Sequence, residues 1–426
     1  MPRLRFLRSF PLFALIACGL SAPAAAGAMR ALSLEQCMQL ALVHNPDMRL
    51  ARLGELTAAA NVVTAAAAPN PTLTLQTFNL NPHAGFGAGP WRAKTVDSTV
   101  RLDQLIERGG KRGLRTEVAR ALALASGDDS DDMRRQLRLA VSQAYYGLMA
   151  ARDRLQIARQ SADLFDASTE VARKRQRAGD LAAAEVARVE VDALRARNDV
   201  QVAETDLLGA RQALALLLGD AAEAAAVEPA DPWPQALPPP ANSLLAARPD
   251  LQAAQRRLDA ALAGRKLAYA ARSADITVGF QAEHFPASAA NTQGSGNSYG
   301  IAVQVPLALR YDYQGEIRAA EVAVDSAQEN LDRLRQAAQG EVLVSAARVA
   351  SAHARLRRDR QELLPAAQRA ADAAEFAFAR GALGMTDLLD VRRSYRSAQL
   401  EALGAQADYA QSLAAARAAA PDQKER

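Results

Sequence analysis

Several residue types on which other protein classes depend are scarce in this sequence. Its 426 residues contain only two cysteines, Cys18 and Cys37, which excludes a disulfide framework. Aromatic residues account for 5% of the chain, although 50% of it is hydrophobic. Much of the apolar fraction is alanine, which favours closely packed helices over a globular core built on large side chains.

Histidine is also scarce, and the four histidines lack the His-x-x-x-His or cysteine pairing that holds zinc. His83 and His284 are predicted to occupy equivalent loops, where a transient metal site is the less favoured alternative to plain exposed side chains. The other two are His44 and His353. No Ser/His/Asp or Cys/His arrangement is evident. We therefore expect no metal site, no cofactor and no enzymatic activity.

An excess of charge of one sign is absent as well. The formal net charge is +4, and residues 1–28 supply three arginines and no acidic residue. Without that segment the 51 basic side chains fall to 48, against 47 acidic ones. A nearly neutral chain gives no reason to expect nucleic acid as a partner.

The N-terminus is typical of an export signal. Three arginines precede an apolar run over residues 10–20, which is too short for a transmembrane helix of about 20 residues. Two processing sites compete. Cleavage after Ala28 in APAAAGA is favoured, and the alternative is a lipobox in LIAC that would leave Cys18 as a lipidated N-terminus. No other segment is a candidate transmembrane helix, so the exported chain is periplasmic, secreted, or built into an outer membrane as strands.

The chain contains two copies of one unit. Three pairs of landmarks recur in the same order, separated by 203, 203 and 202 residues: Pro46 and Pro249, Leu73 and Ile276, Gly179 and Gly381. This period is far too long for a short-repeat solenoid. Five segments are predicted: a signal peptide (1–28), a first repeat (29–227) with a β-hairpin at 71–104, a Pro-rich linker (228–242), a second repeat (243–417) with a β-hairpin at 274–307, and a C-terminal tail (418–426).

Each repeat is expected to contain an opening helix, a hairpin and a long helical hairpin. Residues 113–178 contain no proline and would extend about 100 Å as one helix. The other helices are predicted at 32–68, 181–218, 243–272, from 314 past 377, and at 386–417. Helices of this length bury only a stripe against their neighbours. Periodicity alone therefore leaves a plain coiled-coil stalk as an alternative.

Four segments alternate between apolar and polar residues as strands do. They are TLTLQTF (72–78), TVDSTVRLD (95–103), DITVGFQAE (275–283) and YGIAVQVPL (299–307). Their lengths approach the 9–11 residues of a tilted outer-membrane strand. The long Gly- and Asn-rich connections at 79–93 and 284–298 favour outer-membrane hairpins over two soluble ones. Four strands cannot close a barrel, and each unpaired backbone group in lipid would cost several kcal/mol. Membrane-spanning strands would therefore have to be shared within an oligomer.

Taken together, these parts resemble the TolC-like outer-membrane factor family over about residues 32–417. LSLEQCMQLALVHNPDMRLAR (32–52) is similar to the family's opening helix, with Cys37 where alanine is usual. TDLLDVRRSYRSAQ (386–399) is similar to an inner-helix segment of the second repeat. LDQLIERGGKRG (102–113) resembles members that serve heavy-metal efflux pumps of the cobalt–zinc–cadmium type.

The resemblance implies a mainly α fold with a membrane β-barrel, assembled as a homotrimer. Three protomers would each give four strands to one 12-stranded outer-membrane barrel. Their tandem repeats would form a hollow α-helical barrel in the periplasm. Such proteins are exit ducts of tripartite exporters, partnered by a periplasmic adaptor (membrane fusion protein) and an inner-membrane pump of the resistance-nodulation-division type.

The resemblance also assigns roles to the glycine-containing turns. The adaptor-binding tips would be formed by Gly179, Asp180, Leu181, Gly381, Leu383 and Gly384. Asp387 and Asp390 correspond to aspartates that line the closed periplasmic entrance, where three copies would give six carboxylates that attract cations. The alternative is that both aspartates are partners of a helix dipole. The first repeat has Glu185 and Arg188 at the matching positions.

This chain departs from the family at the gate. The best-known members hold the entrance shut with a tyrosine and an arginine, and Phe378 and Leu383 stand at the corresponding positions here. Neither side chain makes those hydrogen bonds, and Arg380 is out of register. The resemblance therefore implies a gate that is latched in another way, such as by packing.

Two charged motifs receive ordinary interpretations. ERGGKRG (107–113) has Leu105 and Arg112 where a phosphate-binding loop requires Gly and Ser or Thr, so it is predicted to be a basic turn between barrel and helix. The acidic run Asp128, Asp129, Asp131 and Asp132 is predicted to be a solvated helix segment rather than a cation site.

We predict an outer-membrane exit duct for heavy-metal cations, which conducts passively once the adaptor and pump open its entrance. Within the same fold, the alternatives are ducts for drugs or for type I protein secretion. A soluble periplasmic coiled-coil scaffold is the alternative from another class.

Overall fold

The computed structural model describes residues 30–80, 96–219, 227–235, 247–287, 294–307 and 309–420. The helices within these ranges are α1 (Leu34–His44), α2 (Pro46–Ala66), α3 (Lys111–Arg177), α4 (Ala183–Leu218), α5 (Pro249–Ala270), α6 (Gln314–Arg358), α7 (Leu364–Ala379) and α8 (Met385–Ala419). The strands are β1 (Arg30–Leu32), β2 (Thr72–Phe78), β3 (Asp97–Ile106), β4 (Val227–Pro229), β5 (Ile276–Phe285) and β6 (Gly296–Gln304). The predicted order of helix, hairpin and long helical hairpin is present in both repeats.

The opening helix of the first repeat is two helices, contrary to the prediction of one helix over 32–68. Asn45 lies between them in an extended conformation, because the ring of Pro46 disfavours the helical conformation in the residue before it. The Asn45 side chain accepts hydrogen bonds from the backbone N–H groups of Asp47 and Met48, at 2.8 and 3.3 Å. Asn45 therefore ends α1 and caps α2.

The Pro-rich segment begins with a strand, whereas the prediction placed the start of a linker at residue 228. β1 and β4 pair in parallel, with Leu32 opposite Pro229 at the end of the ladder, where proline is tolerated. The Tyr145 hydroxyl of α3 lies 3.0 Å from the Leu32 carbonyl oxygen and 3.1 Å from the Asp231 carboxylate. These hydrogen bonds hold the small sheet against the middle of α3. Residue 32, where the prediction began the opening helix, belongs to strand β1.

Long helices dominate the rest of the fold. α3 has 67 residues and extends about 100 Å, and it packs against α2, α4, α5 and α8. α6 and α7 form one continuous rod through a π-helical turn at Asp359–Leu363, in which the Leu364 N–H reaches the Asp359 carbonyl. This wider turn precedes Pro365, the only proline of the rod, and accommodates a ring that clashes with a regular helix.

Small residues line many of the helix contacts, as the alanine content predicts. The largest cluster joins α1, α3 and α4 around the fully buried Tyr145, Met149 and Leu214. Toward the far end of α3 and α4, alanines provide many of the buried positions, among them Ala162, Ala172, Ala193 and Ala196. Short side chains let these helices approach closely along their length.

The ends of the two repeats are fastened in the same way. The Asn45 side chain donates to the Leu217 carbonyl at the end of α4, at 3.0 Å. In the second repeat, Arg248 also precedes a helix-starting proline and donates to the Ala419 carbonyl of α8, at 3.2 Å. Each contact satisfies a carbonyl that a helix terminus leaves free. The duplication is therefore visible in structure as well as in sequence.

Candidate membrane wall and periplasmic entrance

The hairpins of the two repeats form one antiparallel sheet in the order β2-β3-β5-β6. β2 has the bounds that the sequence predicted, while the bounds of β3, β5 and β6 differ from the predicted ones by one to three residues. β5 extends through His284, which pairs with Asn297. The prediction that His284 lies in a loop is wrong, and its partner position His83 lies outside the described residues.

One face of this sheet is apolar across all four strands. Two adjacent rows of paired residues show this: Leu73, Leu102, Phe280 and Ile301, then Leu75, Val100, Ala282 and Tyr299. These side chains are not covered by the chain itself, since Phe280 is 52% and Ile301 is 79% exposed. A contiguous exposed apolar face of this kind marks a membrane or protein contact.

The opposite face is polar and carries every aspartate, glutamate and arginine of the four strands. These residues are Asp97, Arg101, Asp103 and Glu283. Arg101 and Asp103 form an ion pair at 2.9 Å, and Gln281 donates to Glu283 at 3.4 Å. An apolar outer face and a polar inner face are the two sides of an outer-membrane barrel wall.

Both edges of the sheet are open within the described part of the chain. β2 pairs with β3 alone, and β6 pairs with β5 alone. The backbone groups along these two edges need partners if the sheet lies in lipid. Among the helices that the structure describes, none combines the length and the apolarity required to cross a bilayer.

The two glycine-containing turns have the same geometry. Gly179 follows the end of α3 and Gly381 follows the end of the rod of α6 and α7, and both glycines are left-handed, with φ of 83° and 75°. In each turn the glycine N–H and the next N–H bond back to the preceding helix, at 2.9–3.0 Å. These are Schellman motifs, and left-handed backbone explains why glycine stands at both positions. Leu181 and Leu383 are half-buried in the loops that follow, and Gly384 caps α8.

Asp387 and Asp390 are both exposed on the first turns of α8. Asp387 has no ion pair with any residue in the described ranges. Asp390 lies beside Arg393 and forms an ion pair with it. The chain therefore leaves one free carboxylate and one partly neutralised carboxylate at this end of the helix.

At the two gate positions, Phe378 is packed against apolar side chains and Leu383 is half-buried. The Phe378 ring contacts a buried cluster that includes Phe165 of α3 and Leu389 of α8. The Arg175 guanidinium lies 4.8 Å from the centre of that ring. Phe378 therefore holds the α7–α8 tip against the α3–α4 tip.

Three arginines of α8 reinforce the same contact, and we call them the arginine clamp: Arg392, Arg393 and Arg396. Arg392 donates to Glu375 of α7 at 2.9 Å and to the Ser168 hydroxyl of α3. Arg393 pairs with the buried Asp192 of α4, and Arg396 pairs with Asp199 at 2.7 Å.

The sequence prediction missed the arginine clamp and its partners. The motif VRRSYR places Arg396 four residues after Arg392 and three after Arg393, so each of the two earlier arginines is a near neighbour of Arg396 on the helix surface. Glu375 lies 17 residues before Arg392. The other acceptors, Ser168, Asp192 and Asp199, lie about 200 residues earlier in the chain than the arginines, so sequence spacing alone did not identify them.

A family model for outer membrane efflux proteins matches residues 37–220 and residues 241–420, one match for each repeat. The chain belongs to the outer membrane efflux protein family. These proteins are channels and not enzymes, and they lie in the outer membrane with a large helical portion in the periplasm.

One relative of this channel is the cobalt-zinc-cadmium resistance protein CzcC of Cupriavidus metallidurans. The two are 26% identical over 380 residues, which covers 88% of this chain and 86% of that protein. The fold is similar to the CmeC outer membrane channel of Campylobacter jejuni, with a TM-score of 0.76, 16% identity, and 91% and 85% of the two chains covered. The outer membrane protein VceC of Vibrio cholerae is similar over 91% and 96% of the chains, with a TM-score of 0.74 and 19% identity.

The remaining charged motifs of the efflux channel are structural. In ERGGKRG, Gly109 and Gly110 are left-handed and turn the chain from β3 into α3, while Lys111 pairs with Asp275 at 2.9 Å. The acidic run of α3 lies opposite arginines. The pairs are Asp128–Arg256, Asp129–Arg257, Asp131–Arg134 and Asp132–Arg135. The turn is confirmed, and the acidic run is ion-paired rather than merely solvated.

No group of His, Cys, Asp and Glu residues suited to a metal ion occurs in the described part of the channel. Cys37 is completely buried in α1, and burial, with a further contribution from Asp231, raises the pKa of its thiol to about 11. A thiol of this kind is neither a nucleophile nor a metal ligand at neutral pH. Cys18 lies outside the described residues.

Proposed function

We propose that three copies of this chain close a 12-stranded barrel in the outer membrane and form the exit duct of a tripartite exporter. The observation that carries this proposal is the four-stranded sheet with an exposed apolar face, all its acidic and arginine residues on the other face, and two open edges. Joining β6 of one copy to β2 of the next supplies partners for both edges. The duct conducts passively once its entrance is opened.

The alternative from another class, a soluble periplasmic scaffold, predicts different behaviour in the cell. The duct must sediment with outer membranes, require detergent for extraction and open pores in a planar lipid bilayer. A scaffold would appear in the periplasmic extract, without detergent, and would leave the bilayer electrically silent. Fractionation and single-channel recording therefore separate the two proposals.

We propose that Asp387 and Asp390 line the periplasmic entrance of the closed trimer. Their exposure on the first turns of α8, next to the Gly381 turn, supports this role. Replacing both with alanine should raise the ion leak through the closed duct, as measured by single-channel conductance. The matched control is Glu185→Ala, at the equivalent position of the first repeat. An unchanged conductance in the double variant would show that these aspartates do not restrict the entrance.

We propose that the two turns form the surface that binds a periplasmic adaptor. Residues 179–181 and 381–384 are the terminal turns of the two helical hairpins, and Asp180 and Gly381 are exposed there. Leu383→Asp should abolish co-purification of the adaptor, while the isolated trimer still forms in detergent. Leu383→Met is the control that keeps an apolar side chain. Equal recovery of the adaptor with both variants would contradict the assignment.

We propose heavy-metal cations as the exported substrate, delivered by an inner-membrane pump of the resistance-nodulation-division type. The relative whose name states cobalt, zinc and cadmium resistance supports this assignment. Deleting the gene should lower tolerance of Co²⁺, Zn²⁺ and Cd²⁺ without changing tolerance of organic drugs. Loss of drug tolerance alone would favour a drug duct. A secretion defect, with a neighbouring ATP-driven exporter, would favour type I secretion.

We propose that export ends with cleavage of the signal peptide (1–28) rather than lipidation of Cys18. The Leu32 carbonyl is bonded to Tyr145, which lies 34 residues along α3 from Lys111 at the foot of the barrel strands. That distance is about 51 Å. The 14 residues from Cys18 to Leu32 reach at most about 50 Å, so a lipid anchor would require a completely taut chain. The intact mass of the mature protein decides between the two N-termini.

A further inference from the structure

Exposed apolar residues continue along the chain past the C-terminal end of β6. Beyond Gln304, the end of β6, Val305 and Leu307 follow Ile301 and Val303 at every second position. Leu309 comes after a tight turn, in which its backbone N–H donates to the Leu307 carbonyl at 2.9 Å. Leu307 is 73% exposed and Leu309 is 83% exposed. Exposed leucines at the foot of a membrane strand lie at the level where acyl chains give way to lipid headgroups.

A cavity of about 480 Å³ opens beside these leucines, between the end of α5 and the start of α6. Its lining combines apolar and charged side chains, including Arg272, Leu307, Leu309, Arg310, Tyr311 and Glu316. The volume lies within the range of about 300–1,000 Å³ found for ligand pockets. Tyrosine and arginine at this level are the residue types that anchor proteins to the headgroup region.

The wall of the cavity is fixed by hydrogen bonds. The Tyr311 hydroxyl donates to Glu316 at 2.6 Å and accepts from the Gly315 backbone N–H at 2.9 Å. Arg272 donates to the Asp312 backbone carbonyl at 3.2 Å and pairs with its carboxylate at 3.3 Å. The pocket is therefore held open by contacts made within the chain.

Two opposite charges of the lining remain available to a ligand. Arg310 is exposed and has no ion pair with any residue in the described ranges. Glu316 accepts the Tyr311 hydroxyl, and that hydrogen bond lowers the pKa of its carboxyl group, so it is ionised at neutral pH. A ligand that matches both charges has one anionic group and one cationic group.

We infer that this cavity binds the headgroup of a zwitterionic aminophospholipid from the periplasmic leaflet, with its phosphate at Arg310 and its ammonium at Glu316. The acyl chains of this lipid lie along Leu307, Val305 and Val303, continuous with the lipid around the barrel. The inference rests on the proposed outer-membrane location. It adds one specific lipid site to each protomer.

Native mass spectrometry of the purified trimer, titrated with phosphatidylethanolamine, tests the site. The wild-type protein should retain up to three lipids with a preference for phosphatidylethanolamine over phosphatidylglycerol. Arg310→Gln should weaken binding of both lipids about tenfold, as loss of a charge-assisted phosphate contact does. Glu316→Gln should abolish the preference for phosphatidylethanolamine. The control is Arg318→Gln, an exposed arginine of α6 that does not line the cavity.

A second measurement identifies what covers Leu309. A fluorophore on Leu309→Cys, in a Cys37→Ala background, should be quenched by brominated phospholipid in proteoliposomes, as should one on Ile301→Cys. A fluorophore on Glu329→Cys, farther along α6, should not. If Leu309→Cys escapes quenching while Ile301→Cys is quenched, another copy of the chain covers this surface and the inference is overturned. If the fluorophore on Ile301→Cys is not quenched either, the result contradicts the proposed outer-membrane location.

Equal lipid affinity of the wild-type and Arg310→Gln trimers would also overturn the inference. That result would leave the proposed duct intact, because trimer formation and conductance are measured on the same samples.

Discussion

Leu102 of β3 lies directly opposite Phe280 of β5, although the two residues belong to different repeats. This pairing joins two hairpins, each of which alone would be marginally stable, into one sheet. It also places both side chains on the exposed apolar face. The duplication thus supplies four of the strands that a closed barrel needs. The two open edges of this sheet require strands from further copies of the chain.

Arginine on the apolar face should prevent assembly of the barrel. Phe280→Arg places a charge in the middle of a strand facing lipid, which costs about 2–4 kcal/mol per protomer at the bilayer midplane. Gln281→Arg, the next residue along β5, faces the polar side and should be tolerated. The yield of folded trimer after membrane extraction measures both. Equal yields would contradict the assignment of the two faces.

Loss of the arginine clamp should loosen the entrance. Arg393→Ala removes the main partner of Asp192, whose side chain is only 6% exposed, and leaving a buried acceptor unpaired costs about 1–3 kcal/mol. We expect a higher open probability in planar bilayers. Arg355→Ala is the matched control, because Arg355 pairs with Asp408 within the second repeat. An open probability that rises equally in both variants would argue against a specific latch.

The stability of the helical portion should fall at alkaline pH because of Cys37. Its folded pKa of about 11 lies above the ordinary value of 9.0, so the stabilisation is complete below pH 9 and is lost as pH rises through about 11. The loss should amount to about 2–3 kcal/mol, read from denaturation midpoints between pH 8 and pH 11. Cys37→Ala should flatten this dependence. A maleimide reagent should label native Cys37 at pH 8 only after unfolding, and fast labelling would contradict its burial.

The outer end of the duct should favour cations. Glu283 and Asp97 are diagonal neighbours on the polar face, and neither has an ion pair with a described residue, whereas Arg101 neutralises Asp103. Three protomers would place six carboxylates around this level. Glu283→Gln should therefore lower the permeability ratio of K⁺ to Cl⁻, measured as a shift in reversal potential. Arg101→Gln should raise it. If the permeability ratio changed in the same direction in both variants, these charges would not be the cause of the cation preference.

Much of the fold could be predicted because its signals are local. The alternation in TLTLQTF gave the bounds of β2, and the long proline-free run gave α3 to within two residues. The break at Asn45 was also encoded locally, by Pro46, but the flanking periodicity concealed it. β1 and β4 have three residues each, too few for an alternating pattern to be recognised.

The contacts of the entrance could not be predicted in the same way. Asp192, Asp199 and Ser168 are ordinary polar residues of helices that look solvated in sequence. They meet the arginine clamp only because two helical hairpins pack side by side. The tips were easier to locate, since the left-handed conformation of Gly179 and Gly381 restricts the residue type.

The most direct test of the shared barrel is a disulfide between β6 of one copy and β2 of the next. Gln76→Cys on the polar face of β2 should be combined in turn with Ser298→Cys, Gly300→Cys and Ala302→Cys on the polar face of β6, in a Cys37→Ala background. Oxidation in the outer membrane should give a covalent trimer on a non-reducing gel for at least one pair, with monomer restored by reductant. Monomer alone for all three pairs, in protein that is otherwise folded, would contradict the shared wall.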